Sequence, residues 1–239
     1  MSVGGVSAAR SVYQQAGGGA TPTPTLQSLV VRPVAYNAAS DLLGRNHYLH
    51  TMPGGTKLAF GVFNNDRLMG TVTLGVGPFN VHRLVAESTR DDCIVLSRLW
   101  LADDLPKNSE SRVLAVILRS IGRDTSVKFL VTYADPTAGH VGTIYQATGW
   151  LYTGMSEPSV LYDIGDGVLR NSRTLGHAYG TRSSRYFSEH GVELKGLRQE
   201  AKHRYSYFLN PRWRKRLRVP VQPYPKKSQI ESRIQENDL

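Results

Sequence analysis

Residues 128–154 read KFLVTYADPTAGHVGTIYQATGWLYTG, and this stretch decides the fold. Its first part, 129–133, is an apolar and β-branched run typical of a buried strand, and it ends at the turn-prone pair Asp135-Pro136. A short helix is predicted over 140–148, and a second strand comes after it. A strand, a helix and a returning strand in this order indicate an α/β domain.

The flanking sequence extends the pattern in both directions. A helix is predicted from Asn108 or Ser109, the N-cap, to Gly122, the C-cap, because apolar residues recur there at helical spacing. The fold class predicted for residues 26–164 is therefore α/β, with a mixed central sheet flanked by helices. The other predicted elements are a strand over 29–32, a helix over 37–49, a hairpin over 57–63 and 68–76, a strand over 93–101, and a last hairpin over 150–154 and 159–164.

Length and composition restrict the class of protein. The chain of 239 residues fits one main domain and an appendage, and its single cysteine excludes a disulfide framework and disfavours a Cys-based zinc site. No apolar run approaches the roughly 20 residues of a membrane span, and no signal peptide is recognisable. Residues 1–25, with Gly17–Gly19 and the run TPTPT, are predicted to be disordered.

The net charge of +10 is concentrated near the C-terminus. Residues 165–227 carry 15 Lys and Arg against 4 Asp and Glu, whereas the rest of the chain carries 14 against 15. This predicts a basic extension over 165–227 that binds a polyanion, followed by a tail over 228–239, although a solvated charged face is the alternative. Cations alternate with aromatic rings, which suits phosphates and an unpaired base. The predicted DNA contacts are Arg182, Arg185, Lys202, Arg204, Tyr205, Arg212, Trp213, Arg214 and Arg216.

The loop before the helix at Ser109 is the candidate cofactor site. Backbone N–H groups at a helix start, together with the helix dipole, favour a phosphate. The loop, PKNSESR over 106–112, has no glycine, and Glu110 would repel phosphate. An ordinary capped helix start therefore stays open as the alternative. The candidate cofactor-binding residues are Asn108, Ser109, Ser111 and Arg112.

Three positions are candidates for catalysis. Tyr145 suits a general acid or a residue that orients substrate, and a core tyrosine is the alternative. Asp135 comes after a central strand, where open α/β sheets bind ligands, and suits a general base for an amine; a turn aspartate before proline is the alternative. His47, beside Tyr48, suits a base or a metal ligand, and a surface helix end with two histidines is the alternative.

The order of elements resembles the GNAT superfamily of acyl-CoA transferases, whose pattern A-x-x-x-Y-x-x-x-G-F/W is matched at Val141, Tyr145, Gly149 and Trp150. A more specific resemblance, over most of residues 42–226, is to the phage Mom-type DNA adenine-modification proteins, which are divergent members of that fold. The stretches that carry this resemblance are HYLHTMP at 47–53, LSRLW at 96–100, YADP at 133–136, GHVGTIYQA at 139–147, KHRY at 202–205 and PYPK at 223–226.

The resemblance implies an enzyme that transfers a carbamoylmethyl (acetamido) group to the exocyclic amine of adenine in double-stranded DNA, and so protects phage DNA from host restriction. It implies an active site of His47, Tyr48, Arg98, Asp135 and Tyr145. Iron is linked to the family, with His47, Tyr48 and Asp135 as the candidate ligands. The implied setting is the cytoplasm of the host bacterium, and a homodimer is an open alternative to a single copy.

The donor stays open between acetyl-CoA and a glycine-derived compound. Acetyl-CoA is chemically awkward because a thioester is attacked at its carbonyl, whereas the product is joined through its methylene carbon. The target amine is paired within the duplex, so the base must be flipped out. Two other functions stay open: an ordinary GNAT N-acetyltransferase that acts on a protein or small amine, and a non-enzymatic DNA-binding protein on the same fold.

Overall fold

A computed structural model of the chain describes residues 24–226, within which ten strands and six α-helices form. The predicted disordered segment 1–25 falls outside these residues except for its last two, and the predicted tail 228–239 falls wholly outside them. The strands are β1 (Leu29–Pro33), β2 (Thr56–Asn64), β3 (Arg67–Gly75), β4 (Cys93–Leu101), β5 (Phe129–Ala134), β6 (Leu151–Met155), β7 (Ser159–Asp163), β8 (Arg170–Asn171), β9 (Lys195–Gln199) and β10 (His203–Phe208). The helices are α1 (Tyr36–Asn46), α2 (Ser109–Asp124), α3 (Thr143–Ala147), α4 (Ser172–Tyr179), α5 (Ser184–Glu189) and α6 (Pro211–Arg214).

Seven strands form a central sheet in the order β1-β2-β3-β4-β5-β10-β6. The pair β4–β5 is parallel, and the other neighbours are antiparallel. Helix α2 has one apolar face, which is buried in the core, because its apolar residues recur at spacings of three and four. This mixed sheet with its helices confirms the predicted α/β class. The buried residues of α2 are Ser109, Val113, Leu114, Ile117, Leu118 and Ile121.

Local patterns predicted most elements before α3. The hairpin β2–β3 turns at Asn65 and Asp66, whose φ angles of 46° and 63° are those of a tight two-residue turn. Helix α2 has the predicted N-cap, Asn108, but the predicted C-cap Gly122 is wrong. The helix continues because the Thr125 hydroxyl and N–H both donate to the carbonyl of Ile121, at 2.7 and 3.1 Å.

Strand β10 is the largest departure from the predicted architecture. It comes from the basic extension, yet it lies inside the central sheet between β5 and β6. Consequently β6 does not form the predicted hairpin with β7, and the division at Gly165 does not separate the sheet from the extension. The reason lies in packing: Tyr205 of β10 is fully buried, with its ring 5.6 Å from that of Tyr145 and 5.2 Å from that of Tyr152.

Residues 157–201, which we call the insertion, leave the central sheet after β6 and return at β10. They form a small sheet in the order β8-β7-β9, with α4 packed against β7 and β8. The two ends of the insertion meet at a neck, where the N–H of Ser156 donates to the Lys202 carbonyl at 2.8 Å and the N–H of Lys202 donates to the Ser156 hydroxyl at 2.9 Å. Because His203 pairs with both Ala134 and Met155, the neck lies at the carboxyl end of β5.

After β10 the chain packs back onto the core. The N–H of Arg218 donates to the Leu84 carbonyl at 2.8 Å, and the N–H of Gln222 donates to the Tyr152 carbonyl at 2.9 Å. The Tyr224 hydroxyl donates to the Trp150 carbonyl at 2.8 Å. None of the helices between residues 24 and 226 combines the length and hydrophobicity needed to cross a membrane.

Candidate active site

A cavity of about 410 Å³ opens where β4 and β5 separate. The two strands pair in parallel only as far as Leu96 and Thr132, although β4 continues to Leu101. The wedge between them lies at the carboxyl ends of parallel strands, where open α/β sheets bind ligands. All five side chains predicted as catalytic line this one cavity: His47, Tyr48, Arg98, Asp135 and Tyr145.

Asp135 is held as a buried carboxylate, with 7% of its surface exposed. Oδ1 accepts from the N–H of Thr137 at 3.1 Å and from its hydroxyl at 2.7 Å, and Oδ2 lies 2.5 Å from Nζ of Lys202. Burial acts to raise the pKa of Asp135, but the hydrogen bonds from Lys202 and Thr137 outweigh it, so the pKa is lowered from its ordinary value. The carboxylate is therefore ionised and fixed in position at neutral pH.

Lys202, a predicted DNA contact, belongs instead to this site. It stands at the neck of the insertion and pairs with Asp135, so one residue joins the insertion to the cavity. A local pattern does not reveal this pair, because the two residues meet only when β10 lies beside β5. Thr137 is different: an aspartate before Pro-Thr often accepts from the N–H two residues later, so its role was readable from the sequence.

His47 is buried, with 6% of its surface exposed. Its Nδ1 accepts from the N–H of Leu49 at 3.1 Å. Burial, with the neighbouring charges of Arg98, His140 and His50, lowers the pKa of His47 to about 4. At neutral pH the ring is therefore neutral and carries its proton on Nε2, which makes this nitrogen a hydrogen-bond donor. This arrangement disagrees with the predicted role of base.

The residues predicted to bind iron do not fit a metal site. The ammonium of Lys202 already neutralises the charge of the Asp135 carboxylate, and the lone pair of His47 Nδ1 is engaged by Leu49. The Arg98 guanidinium lies in the same cavity and adds a positive charge. Among residues 24–226, no three His, Cys, Asp or Glu side chains are grouped so that they could hold a metal ion.

Tyr48 and Tyr145, the two tyrosines predicted as catalytic, differ in exposure. Tyr145 is buried, with its ring tilted 5.4 Å from that of Trp150. Burial raises the pKa of Tyr145 to about 12, despite a hydrogen bond with Thr132, so its hydroxyl stays protonated. Tyr48 is 49% exposed, and its ring stacks on that of His47 at 4.5 Å. Tyr48 is thus an aromatic surface at the mouth of the cavity.

Arg98 supplies the positive charge of the cavity. Its Nη1 donates to the Ser97 carbonyl at 2.8 Å, whereas its Nε is buried and has no partner among the described residues. Burial lowers the pKa of Arg98, but a guanidinium remains charged in proteins. A half-buried cation whose Nε lacks a hydrogen-bond partner favours an anionic or carbonyl oxygen in the cavity.

The loop predicted to bind a cofactor has a different arrangement. Asn108 is the N-cap in the left-handed region, with φ of 71°. The buried hydroxyl of Ser109 donates to the Pro106 carbonyl at 2.6 Å, so it is not free for a phosphate. Ser111 is half-buried and Arg112 is exposed, and it is Glu110 that lines the cavity. An acidic side chain at this place opposes the pyrophosphate of a CoA-type donor.

The predicted base-stacking role of Tyr205 is wrong. No part of its surface is exposed, and its hydroxyl donates to the Val141 carbonyl at 2.5 Å and accepts from Gln146 Nε2 at 3.0 Å. Trp213 also packs inward, onto a second core cluster that includes Phe129. These rings join the extension to the central sheet.

The predicted cations of the extension fall into two groups. Lys202 and Arg204 are bound within the fold, and Arg204 Nη2 donates to the Thr153 carbonyl at 2.6 Å. The others are exposed, and two of them form surface salt bridges, Arg185 with Glu189 at 2.8 Å and Arg216 with Glu87 at 3.2 Å. The exposed cations are Arg182, Arg185, Arg212, Arg214 and Arg216.

We expect the imidazole of His47 to stay neutral on acidification down to about pH 4. In the unfolded chain a histidine titrates near pH 6.5, so between pH 6.5 and about 4 the unfolded state binds more protons than the folded state. The free energy of unfolding therefore decreases as the pH falls through this range. Nitrogen-15 NMR of the ring would show Nε2 protonated, and His47→Gln assigns the signal. A ring that titrates near pH 6.5, or a protonated Nδ1, would contradict the arrangement.

Comparison with known proteins places the chain in a family. The profile of the Mom protein family matches residues 28–226. The methylcarbamoylase mom of Escherichia phage Mu is 31% identical over 212 residues, which cover 84% of this chain and 85% of that protein. Among solved structures, the spermidine N-acetyltransferase from Vibrio cholerae in complex with CoA and spermine has a TM-score of 0.45 at 9% identity, over 77% of this chain and 96% of that chain. The RimL ribosomal L7/L12 alpha-N-protein acetyltransferase has a TM-score of 0.42 at 8% identity, over 80% of this chain and 98% of that chain. From the extent of the family match and the identity to the phage Mu protein, this chain is a member of the Mom protein family.

Proposed function

We propose that this chain transfers a carbamoylmethyl (acetamido) group to the exocyclic amine of adenine in DNA and thereby protects phage DNA from host restriction. The observation that carries the proposal is the family match over residues 28–226, which includes the cavity, the insertion and β10. The identity to a protein named methylcarbamoylase supports the same group transfer.

The side chains of the cavity suit an amine that attacks a carbon atom. A bond forms between the adenine nitrogen and the methylene carbon of the donor, the leaving group departs with the bonding electrons, and the amine loses a proton. Asp135 is ionised and fixed, so it can orient the amine and accept that proton. Arg98 and His47 line the same cavity, where the guanidinium and the ring Nε2–H can stabilise negative charge on the leaving group.

The donor that this cavity favours is a glycine-derived amide, because the transferred carbamoylmethyl group ends in a carboxamide. Arg98 has an incomplete hydrogen-bond shell, and its guanidinium can donate to the carbonyl oxygen of that amide. Glu110 at the cavity wall disfavours the pyrophosphate of acetyl-CoA. Calorimetry can distinguish the two donors by measuring how wild type and Glu110→Gln bind acetyl-CoA and the glycine-derived compound. Tight binding of acetyl-CoA by the wild type would reverse this preference.

Tyr48 is the aromatic ring that we propose for stacking on the flipped adenine, in place of Tyr205 and Trp213. It is half-exposed at the mouth of the cavity and is supported from behind by His47. Stacking of a base on an aromatic ring contributes about 1–3 kcal/mol. Tyr48→Ala is therefore expected to lower modification of duplex DNA by roughly 5- to 150-fold, whereas Tyr48→Phe should keep most of the activity.

The matched control is Tyr36→Ala, which removes a ring that is 58% exposed at the start of α1, the helix that ends just before Tyr48. It should leave modification unchanged. Quantitative mass spectrometry of the modified nucleoside in a duplex with one adenine measures all three variants. Equal losses in Tyr48→Phe and Tyr48→Ala would assign the role to the hydroxyl and not to the ring.

One experiment tests the function as a whole. The gene is expressed in a bacterium, total DNA is digested to nucleosides, and deoxyadenosine that is heavier by one carbamoylmethyl group is sought by mass spectrometry. Asp135→Asn is the control for activity of the host. Acetylation of a protein or small amine without modified deoxyadenosine would favour the ordinary acetyltransferase, and DNA binding without any modification would favour the non-enzymatic protein.

A further inference from the structure

Helix α6 lies at the opposite end of the central sheet from the cavity. The N–H groups of Leu209 and Asn210 both donate to the carbonyl of Lys128, at 2.9 and 3.2 Å, and Lys128 directly precedes β5. Asp135 stands directly after β5. A six-residue strand at about 3.3 Å per residue separates the two ends by roughly 20 Å. Helix α6 and the turn after it are therefore remote from the reacting atoms.

The surplus charge of the extension lies after the insertion, and most of it lies in the remote residues. Residues 202–227 carry 9 Lys and Arg and no Asp or Glu, and 5 of these cations fall within residues 212–218, whereas residues 157–201 carry 6 of each sign. Four exposed cations lie close together along the chain on α6 and the turn after it, and among residues 24–226 no carboxylate forms a salt bridge with them. We call these four the basic surface: Arg212, Arg214, Lys215 and Arg218.

The basic surface is held rigidly. Trp213 packs onto the core cluster of Val81, Val85 and Phe129, and the N–H of Ala86 donates to the Arg216 carbonyl at 2.8 Å. Unpaired like charges on a fixed backbone repel one another, so the free energy of this surface falls when a polyanion covers it. The ring of Trp213 is turned toward the core, so the surface presents cations and not a stacking platform. Such a surface contacts phosphates and does not read bases.

We propose that the basic surface binds the phosphate backbone of a second segment of duplex DNA, distinct from the segment whose adenine enters the cavity. The inference rests on the proposed function in that the polyanion is DNA. A second contact keeps the protein on a long molecule while the cavity releases one adenine and receives the next, because phosphate contacts are independent of sequence and permit sliding.

The experiment counts duplexes bound to the full chain. A DNA hairpin of about ten base pairs, roughly 34 Å long, is titrated against wild type, and native mass spectrometry gives the number bound per chain. The test variant replaces the basic surface by glutamine (Arg212→Gln, Arg214→Gln, Lys215→Gln, Arg218→Gln). The matched control makes the same change in charge on exposed residues that are not predicted DNA contacts (Arg67→Gln, Arg119→Gln, Lys195→Gln, Arg198→Gln).

Wild type and the control variant are expected to bind two hairpins per chain, and the test variant one. At a saturating concentration of hairpin, the test variant should modify the DNA at the wild-type rate. The slope of its log affinity for long DNA against log salt should be smaller, by about 0.9 for each lost contact. A conservative variant (Arg212→Lys, Arg214→Lys, Arg218→Lys) should bind two hairpins again, since a phosphate contact needs the charge; failure to do so would overturn the electrostatic basis.

One hairpin per wild-type chain, or two per chain of the test variant, would overturn the proposal. A parallel loss of hairpin modification in the test variant would place the surface in the cavity's own duplex contact and would also overturn it. These outcomes are separable from failure of the proposed function: if wild type binds two hairpins and modifies neither, the second site stands and the adenine chemistry is wrong.

Discussion

Replacing Asp135 with asparagine is expected to lower the yield of modified deoxyadenosine by about 100-fold or more, because a positioned general base contributes 10²–10⁴ in rate. The change is nearly isosteric, and the amide oxygen can still accept from Thr137, so packing is preserved. Lys202 loses its ion pair, but its side chain is 30% exposed and can turn to solvent. The melting temperature should therefore change little, and nucleoside mass spectrometry should show the loss.

Tyr145→Phe is the companion variant, since it removes one hydroxyl from the same cavity and leaves the ring packed against Trp150. It should also abolish modification while the fold and the affinity for DNA persist. Wild-type yields from both variants would remove Asp135 and Tyr145 from the catalytic set. A large drop in melting temperature in either variant would instead assign that residue a structural role.

Replacing Tyr205 with alanine is expected to destabilise the protein by about 3–5 kcal/mol, the range for removal of a fully buried aromatic side chain. Tyr205 lies on β10 among the rings of Tyr145, Tyr152 and Tyr224, so alanine leaves a cavity where the extension joins the sheet. Tyr205→Phe keeps the ring and loses only the hydroxyl bonds to Val141 and Gln146, which costs about 1 kcal/mol. Urea unfolding measures both changes.

The control for this series is Tyr186→Ala, which removes an exposed ring of α5 and should leave the urea midpoint nearly unchanged. Loss of activity in Tyr205→Ala should match the loss of folded protein, and a substrate with an unpaired adenine should not restore it. A Tyr205→Ala protein with the wild-type midpoint, whose activity on duplex DNA is rescued by unpaired adenine, would contradict the packing role and return Tyr205 to base stacking.

The sequence by itself determined the elements whose signals are local. The hairpin β2–β3, strand β4 and helix α2 result from alternation, turn residues and helical spacing, each of which operates over a few neighbouring residues. The resemblance to Mom-type proteins also selected five residues, from His47 to Tyr145, that the fold brings to one cavity. These positions are separated along the chain, so their meeting is a property of the sheet order.

Only the tertiary structure decided the place of β10 and, with it, the surroundings of three functional features. The sequence of β10, HRYSYF, combines cations and aromatic rings, and this composition suits a buried strand as well as an exposed nucleic-acid contact. Pairing between β5 and β10 joins distant parts of the chain. It therefore leaves no local periodicity in the sequence that distinguishes a buried strand from an exposed contact. Once β10 lies between β5 and β6, Tyr205 enters the core, Lys202 reaches Asp135, and the four cations after it stand at the far end of the sheet.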